Sequence, residues 1–440
     1  MREAQARLDS VTRQIRDQGM TLDLMSEESP ALREVEEWEL REEIFWKQKS
    51  WVDWLQEGDR NTTFFHNTVK ARRSGNSITS LVSTSGDQLF SKEAISLEAK
   101  RYFSQLFSKE EPCSLVETRA ILECIPQLVS DSMNRDLLRP IMLEELEKVV
   151  FGMKKGKAPG PDGFPIEFFQ EFWEIIKFDL LEVVQESYQN KQMLKSLNAT
   201  FLALIPKVDG ANSLDQFRPI ALCNVTYKII TKLIAERLKP FLATLISEEQ
   251  GGFVGGRQIL DGVVIASEAI HSMATSKEKA MFIKLDLAKA YDRVSWEFLG
   301  HVLHAFGFDM EWVDWILSCV TSPSFSVFIN GEPTDLFSAS RGLRQGDPIS
   351  PYLFIIMAEG LGRFIKFQAT QGIVQGWKWH IDIPAYTHLQ FVYDTGLLGL
   401  ATINEARNFR WILDTYLKAS GQKINEGKSS IYFFNTPQPI

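Results

Sequence analysis

The 440-residue sequence predicts an α+β protein with an α-helical N-terminal extension. Three observations carry this. Residues 1 to about 60 place apolar side chains at three- and four-residue steps within long polar stretches, which is the helical period. Pro and Gly crowd into residues 156–165, around KAPGPDGFP, and force a loop there. From FLALIPK, a strand ending at Lys207, β-runs alternate with helical ones, the pattern of an α/β or α+β unit. The chain divides on this reading into a mostly helical extension (1–140), a loop-and-helix segment (141–200) and a mixed unit (201–436).

Taken in order, the first helical stretch is punctuated by Trp38, Trp46, Trp51 and Trp54. They form either an aromatic face packed on a neighbour or a stacking surface for RNA. Lys70, Arg72 and Arg73 follow, as a solvated loop or as phosphate contacts. A helix is predicted from about Glu167 to Gln189. A strand from Phe282 to Leu287 carries Asp286 near its end, and Ser295 is placed to cap the next helix. Phe325 to Ile329 is a strand, and Asn330-Gly331 is a two-residue hairpin signal. Gly342, Gly346 and Pro348 make a loop; Ser350 is placed to cap the following helix, with Pro351 at its first position. HLQFVYDTGLLGL predicts two short strands with the turn at Tyr393-Asp394.

Composition bounds the class. Hydrophobic residues at 44% and charged residues at 24% fit a globular chain and exclude global disorder. No run of about 18 apolar residues spans a membrane, and the start, MREAQARLDSVTRQIRDQG, lacks the apolar middle of a secretory signal. Cys113, Cys124, Cys223 and Cys319 are scattered, which argues against a zinc site or disulfide framework and for a reducing compartment. The net charge of −9 argues against a nucleic-acid partner only weakly, because charge is uneven. Residues 1–60 hold nine Lys/Arg against fifteen Asp/Glu, whereas residues 61–110 hold seven against four.

Two carboxylates attract attention. Asp286 ends a strand before a tight turn, a good place to hold a metal, although an ordinary turn aspartate reads the same way. Asp394 sits at a hairpin tip, which presents side chains on a rigid support. If the tip lies beside the Asp286 strand, the pair can share two Mg²⁺ ions about 4 Å apart, the arrangement that activates a 3′-hydroxyl and stabilises leaving pyrophosphate.

These segments, in order, resemble the motifs of non-LTR retrotransposon reverse transcriptases, most closely those of plant LINE elements. FIKLDLAKAYDRV looks like the first palm motif, GLRQGDPISPYLF the second, FVYDT the third and SGQKINEGKSSIYF the fourth. Upstream, GKAPGPDGFPIEFF is similar to an extra fingers segment, and LIPKVDGANSLDQFRPIALCNVTYKIITKLIAERLKP to the first fingers motif. EEQGGFVGGRQILDGV and WVDWLQEGDRNTTFFHNTVKARR also match the family's style.

The resemblance implies a right-hand polymerase with fingers and palm, acting as an RNA-directed DNA polymerase on an RNA template and DNA primer with dNTPs and two Mg²⁺ ions. It implies that Asp286 bridges the metals and that Asp394 contributes to the same site. Tyr291 is implied to stack under the sugar, Gln345 and Gly346 to border the nucleotide and template base, and Lys207 and Arg218 to meet the triphosphate. Lys428 is implied near the leaving pyrophosphate as a general acid. Lys207, Arg218 and Gln345 are then expected to line one cleft facing Asp286. A retrotransposon life cycle implies the nucleus and cytoplasm.

One position departs from the pattern. The third palm motif normally reads Phe-Ala-Asp-Asp-Thr, and here it reads Phe391-Val392-Tyr393-Asp394-Thr395. Tyr393 therefore replaces the first aspartate, and a phenol is a poor ligand for a hard cation. Gly396 stands where a branched apolar residue is usual and weakens the second strand. The chain ends at NTPQPI, before a primer-gripping turn and thumb, and starts without an endonuclease-like region, so the sequence reads as a truncated copy. The alternative to an active polymerase is a non-catalytic remnant that at most binds nucleic acid. Tyr291 and the LINE-style flanks argue against a viral RNA-dependent RNA polymerase. A protein-interaction module accounts for the Trp-rich start but not for the ordered motifs.

Overall fold

A computed structural model of the protein describes residues 2–50, 67–68, 70, 75, 77–109, 114–378 and 384–436, apart from the side chains of residues 43 and 46–50. Trp51, Trp54, Arg72, Arg73, Cys113 and the side chain of Trp46 lie outside them. The chain forms two compact units, Met1–Ile78 and Thr79–Ile440. The boundaries read from the sequence at 140 and 200 both fall inside the second.

The first unit pairs helix Arg2–Gln18 with helix Leu22–Ser50. Ala4, Val11, Leu24, Ala31 and Val35 are buried, the apolar steps that predicted helix. Trp38 stays 41% exposed, with the Arg41 guanidinium 5.1 Å above its ring.

The second unit holds eleven described strands in three sheets. β1 (Leu81–Val82) and β2 (Gln88–Leu89) form a small ribbon. β3 (Ala199–Pro206) lies between antiparallel β4 (Phe217–Cys223) and parallel β6 (Ser324–Ile329). β7 (Glu332–Pro333) and β8 (Phe337–Ser338) both pair with β6. Asn330 and Gly331 join β6 to β7 with φ of 50° and 97°, the left-handed pair that this hairpin turn demands. The third sheet is antiparallel throughout, in the order β11 (Ser430–Phe434), β5 (Ala280–Leu285), β10 (Asp394–Leu400), β9 (His388–Phe391). Its strands come from three distant stretches, so their end-to-end alignment is set by tertiary packing. Ala269 and Met273 of helix Ile259–Thr275 pack on Ala280, Trp377 and Leu398 beneath this sheet.

The predicted 167–189 helix is two, Ile166–Glu171 and Trp173–Asn190. The loop at 156–165 is as expected, and it packs closely on the start of helix Val225–Leu238. A Cβ on Gly160 would come within 2.3 Å of the Asn224 amide nitrogen, so only glycine fits. Ser295 caps helix Trp296–Phe306, accepting from the Phe298 amide at 3.2 Å.

Two local expectations need correction. Ser350 does not cap helix Ser350–Thr370: it is the first helical residue, and Ile349 occupies the cap position. Asp347 serves this end instead, its carboxylate accepting from the Ile349 amide at 3.4 Å and its carbonyl from the Ser350 amide at 3.3 Å. The hairpin turn lies at Val392-Tyr393, one residue earlier than expected, because β10 already begins at Asp394. Val392 has a φ of 58°. A β-branched residue rarely sits there, and such strain costs about 1–3 kcal/mol. The buried Gln250 side chain holds it, accepting from the Val392 amide at 2.7 Å and donating to its carbonyl at 3.3 Å. Gly396 carries its strand on without a break: the Phe282 ring covers it, 2.9 Å from where a Cβ would stand.

Candidate active site

Asp286 follows β5 directly, and Asp394 opens β10. The register pairs Thr395 with Leu285, so the two aspartates occupy the next step of the same antiparallel ladder. Directly opposed residues on such strands have Cα atoms about 4.5–5.5 Å apart. Burial, and then the Asp286 charge, hold the Asp394 carboxyl above the usual range, while Lys284 and Lys428 pull the other way.

Asp286 is half-buried and held from the opposite side by the segment before β11. The Asn425 side-chain amide donates to Asp286 Oδ2 at 2.8 Å. The Asn425 main-chain amide donates to the Asp286 carbonyl at 2.8 Å, and the Asp286 amide donates to Ser429 Oγ at 3.1 Å.

Of the other predicted residues, Lys428 acts directly on Asp394, and the rest are tied to neighbouring elements. Lys428 lies on the same segment, exposed, and its charge acts on both Asp394 and Lys207. Lys207 donates to the Asp215 carbonyl at 2.6 Å. Partial burial, then the Lys428 and Arg218 charges, push its ammonium below the ordinary lysine value, so three cations share one neighbourhood. Arg218 is exposed on β4, opposite Ile205 of β3. Gln345 donates to Asp292 Oδ1 at 3.3 Å, and its carbonyl accepts from the Ala221 amide of β4 at 2.8 Å. Gly346, with φ of 108°, lies so close to β4 that a Cβ would stand 3.2 Å from the Ala221 carbonyl. Tyr291 stacks on Phe354, ring centres 4.9 Å apart. Burial, then the neighbouring Tyr393, raise its phenol well above the ordinary tyrosine value. Tyr393 itself stands at the hairpin tip, 40% exposed.

Sequence reasoning missed Asn425, Gln250 and Asp292. Asp292 is 3% exposed, and burial pushes its carboxyl up to about 7 against the pull of Lys289, Gln345, Lys207 and Arg293. Lys289 also donates to the Tyr102 hydroxyl, its ammonium 4.4 Å from that ring, which ties helix Lys92–Leu106 to the site. Asp292 binds its proton more tightly folded than unfolded, since its ordinary value is 3.8. Its contribution to stability is therefore full below about pH 4 and lost as pH rises towards 7. Asp292→Asn is expected to flatten the fall in Tm over that window, measured by circular dichroism; an unchanged slope would show that another group carries it.

The donor set tests the two-ion expectation. Two carboxylates stand together, and a phenol takes the third place. Among the described residues, no group of three or more His, Cys, Asp or Glu is placed to hold a metal ion. One Asp286 oxygen also already accepts from Asn425. These residues do not fit a two-ion centre.

Two aspartates thus stand at adjacent antiparallel strand ends, and Lys428, whose charge reaches Asp394, also acts on Lys207. The reverse transcriptase (RNA-dependent DNA polymerase) family matches residues 205–438, and the chain belongs to that family. It is a reverse-transcriptase domain of the non-LTR, LINE type. It is 30% identical over 404 residues to the transposon TX1 uncharacterized 149 kDa protein of Xenopus laevis, covering 92% of this chain and 30% of that protein. It is 25% identical over 240 residues to a Pol polyprotein from the retrotransposable element R2 of Popillia japonica, covering 53% of this chain and 32% of that one. An uncharacterized mitochondrial protein of Arabidopsis thaliana is 46% identical over 108 residues, 24% of this chain and 88% of its own length. The chain thus spans about a third of the TX1 and R2 proteins. The family generally uses divalent metals, and it implies an RNA template and nucleotide substrates. No described helix is long and apolar enough to cross a membrane.

Proposed function

We propose that residues 201–436 are the fingers and palm of a LINE-type reverse transcriptase, with 141–200 as its extra fingers segment. In this reading the domain binds dNTPs, an RNA template and a DNA primer, and Tyr393 disables its metal-dependent nucleotidyl transfer. The observation that carries the reading is the β5–β10 register, which sets Asp286 beside Asp394 with Tyr393 at the turn before it. Lys207, Arg218 and Lys428 supply the positive charge a triphosphate needs inside an acidic protein. Asp286 and Asp394 are the carboxylates of the centre, Lys428 its general acid, and Tyr291, Gln345 and Gly346 its nucleotide walls.

A fluorescent dNTP titrated into the full chain tests the binding half. Lys207→Ala is expected to weaken binding about 10- to 100-fold, since a bond to a charged group contributes roughly 1.5–3 kcal/mol. Equal affinity in the variant, or no binding in the parent, would remove the triphosphate assignment.

A further inference from the structure

The hairpin tip that carries Asp394 does not hold its own shape. Val392, at its first turn position, is a β-branched residue in the left-handed region. The groups that hold it come from residues 249–252, some 140 positions earlier. That stretch runs beside β9: the Gly251 amide donates to the Gln390 carbonyl at 2.9 Å, and the Gln390 amide to the Glu249 carbonyl at 2.8 Å. Arg257 braces it, donating to the carbonyls of Ile246 at 2.8 Å and Gln250 at 2.7 Å. The Gln250 side chain, with no solvent exposure, is thus fixed before it reaches the turn.

Its amide then satisfies the turn as a peptide group would. Gln250 Oε1 accepts from the amides of Val392 at 2.7 Å and Gly252 at 2.9 Å, and Nε2 donates to the Val392 carbonyl at 3.3 Å. Gly252 leaves the room for this, since a Cβ there would stand 2.5 Å from Val392 Cγ2 and 3.1 Å from the Val392 nitrogen. We propose that Gln250 is the positioning residue of the site: its side-chain amide sets the left-handed turn at Val392 and thereby fixes Asp394 beside Asp286. This rests on the reading of the two aspartates as the polymerase centre. Gln250 touches no reacting atom, and it acts through the Val392 backbone.

The test has two readouts on the full chain. Hydrogen exchange followed by mass spectrometry reads the turn directly. Gln250→Ala is expected to speed exchange at Val392 at least 10-fold, with β5 and helix Val225–Leu238 unchanged. Mn²⁺ titration followed by electron paramagnetic resonance, in the Tyr393→Asp background, reads the carboxylate pair. Gln250→Ala is expected to weaken Mn²⁺ binding at least 10-fold. Adding Val392→Gly should recover most of that loss, because glycine adopts the left-handed turn unaided; lost packing alone would not be rescued in this way. Unchanged exchange at Val392, unchanged Mn²⁺ affinity or failure of the rescue would each overturn the proposal. If Gln250→Ala lowers global stability, the comparison is made within Val392→Gly, where removing Gln250 should alter Mn²⁺ affinity less than about threefold; a 10-fold loss there also overturns it. If the Tyr393→Asp chain binds no Mn²⁺, the polymerase-centre reading fails, and exchange at Val392 still decides whether Gln250 sets the turn.

Discussion

Tyr393→Asp is expected to raise single-nucleotide incorporation on a primed RNA template by about 10²–10³-fold over the unmodified chain, whose extension stays near background. One preorganised charge-stabilising group contributes on this order. The substitution adds a third carboxylate at a turn whose backbone is already held by Gln250, so no rebuilding of the hairpin is needed. The position is 40% exposed, and the added charge is not forced into a dry interior. Mn²⁺ affinity should rise in parallel. Asp286→Ala in the restored chain should return incorporation to background, which assigns the gain to this pair. Robust extension by the unmodified chain, abolished by Asp286→Ala, would show that the site works with a phenol in that place and would overturn the disabled-centre reading.

The second large effect concerns the loop that carries Gln345 and Gly346. Its anchor is Arg344, 6% exposed. The guanidinium donates to Thr200 Oγ1 at 3.1 Å and to the Cys319 carbonyl at 3.1 Å, and also to Asn198 Oδ1. It lies 3.9 Å over the Tyr227 ring and 3.7 Å from Asp347, which also accepts from the Tyr227 hydroxyl at 2.8 Å. Arg344→Met removes one partner of a buried ion pair and leaves Asp347 charged in the interior. That is expected to cost about 3–5 kcal/mol, read as a shift in the urea midpoint at unchanged slope. Adding Asp347→Asn should recover part of the loss, because the stranded charge is gone. A single-variant loss under about 1 kcal/mol, the size of an exposed pair, would show that the loop is anchored by packing alone.

The strands and the order of the site residues were legible because their signals are local. Short apolar runs mark β5 and β10, Asn330-Gly331 spells its own turn, and Ser295 caps the helix beside it. What was not legible depends on partners far along the chain. Val392 gives no sign of a left-handed turn, because the group that permits it is Gln250, 142 positions away. Ser350 looked like a cap because serine beside proline commonly is one, and only the folded loop shows Asp347 in that work. Asp292 reads as an ordinary turn aspartate until burial and its neighbours are known. Asn425 stands within SGQKINEGKSSIYF, but its bond to Asp286 crosses 139 residues.

That last bond bears on how the protein is made. The main-chain and side-chain groups that hold Asp286 all belong to residues 425–429, and β11 alone covers the outer edge of β5. A ribosome that has just released Leu287 has yet to translate them. At about 5–20 residues per second, the Asp286 strand waits on the order of 10 s for β11, with both edges unpaired until β10 is made and one edge thereafter. During that interval it is an open template for any other extended chain. Nascent chains of this protein should therefore need their greatest protection between the emergence of β5 and that of β11.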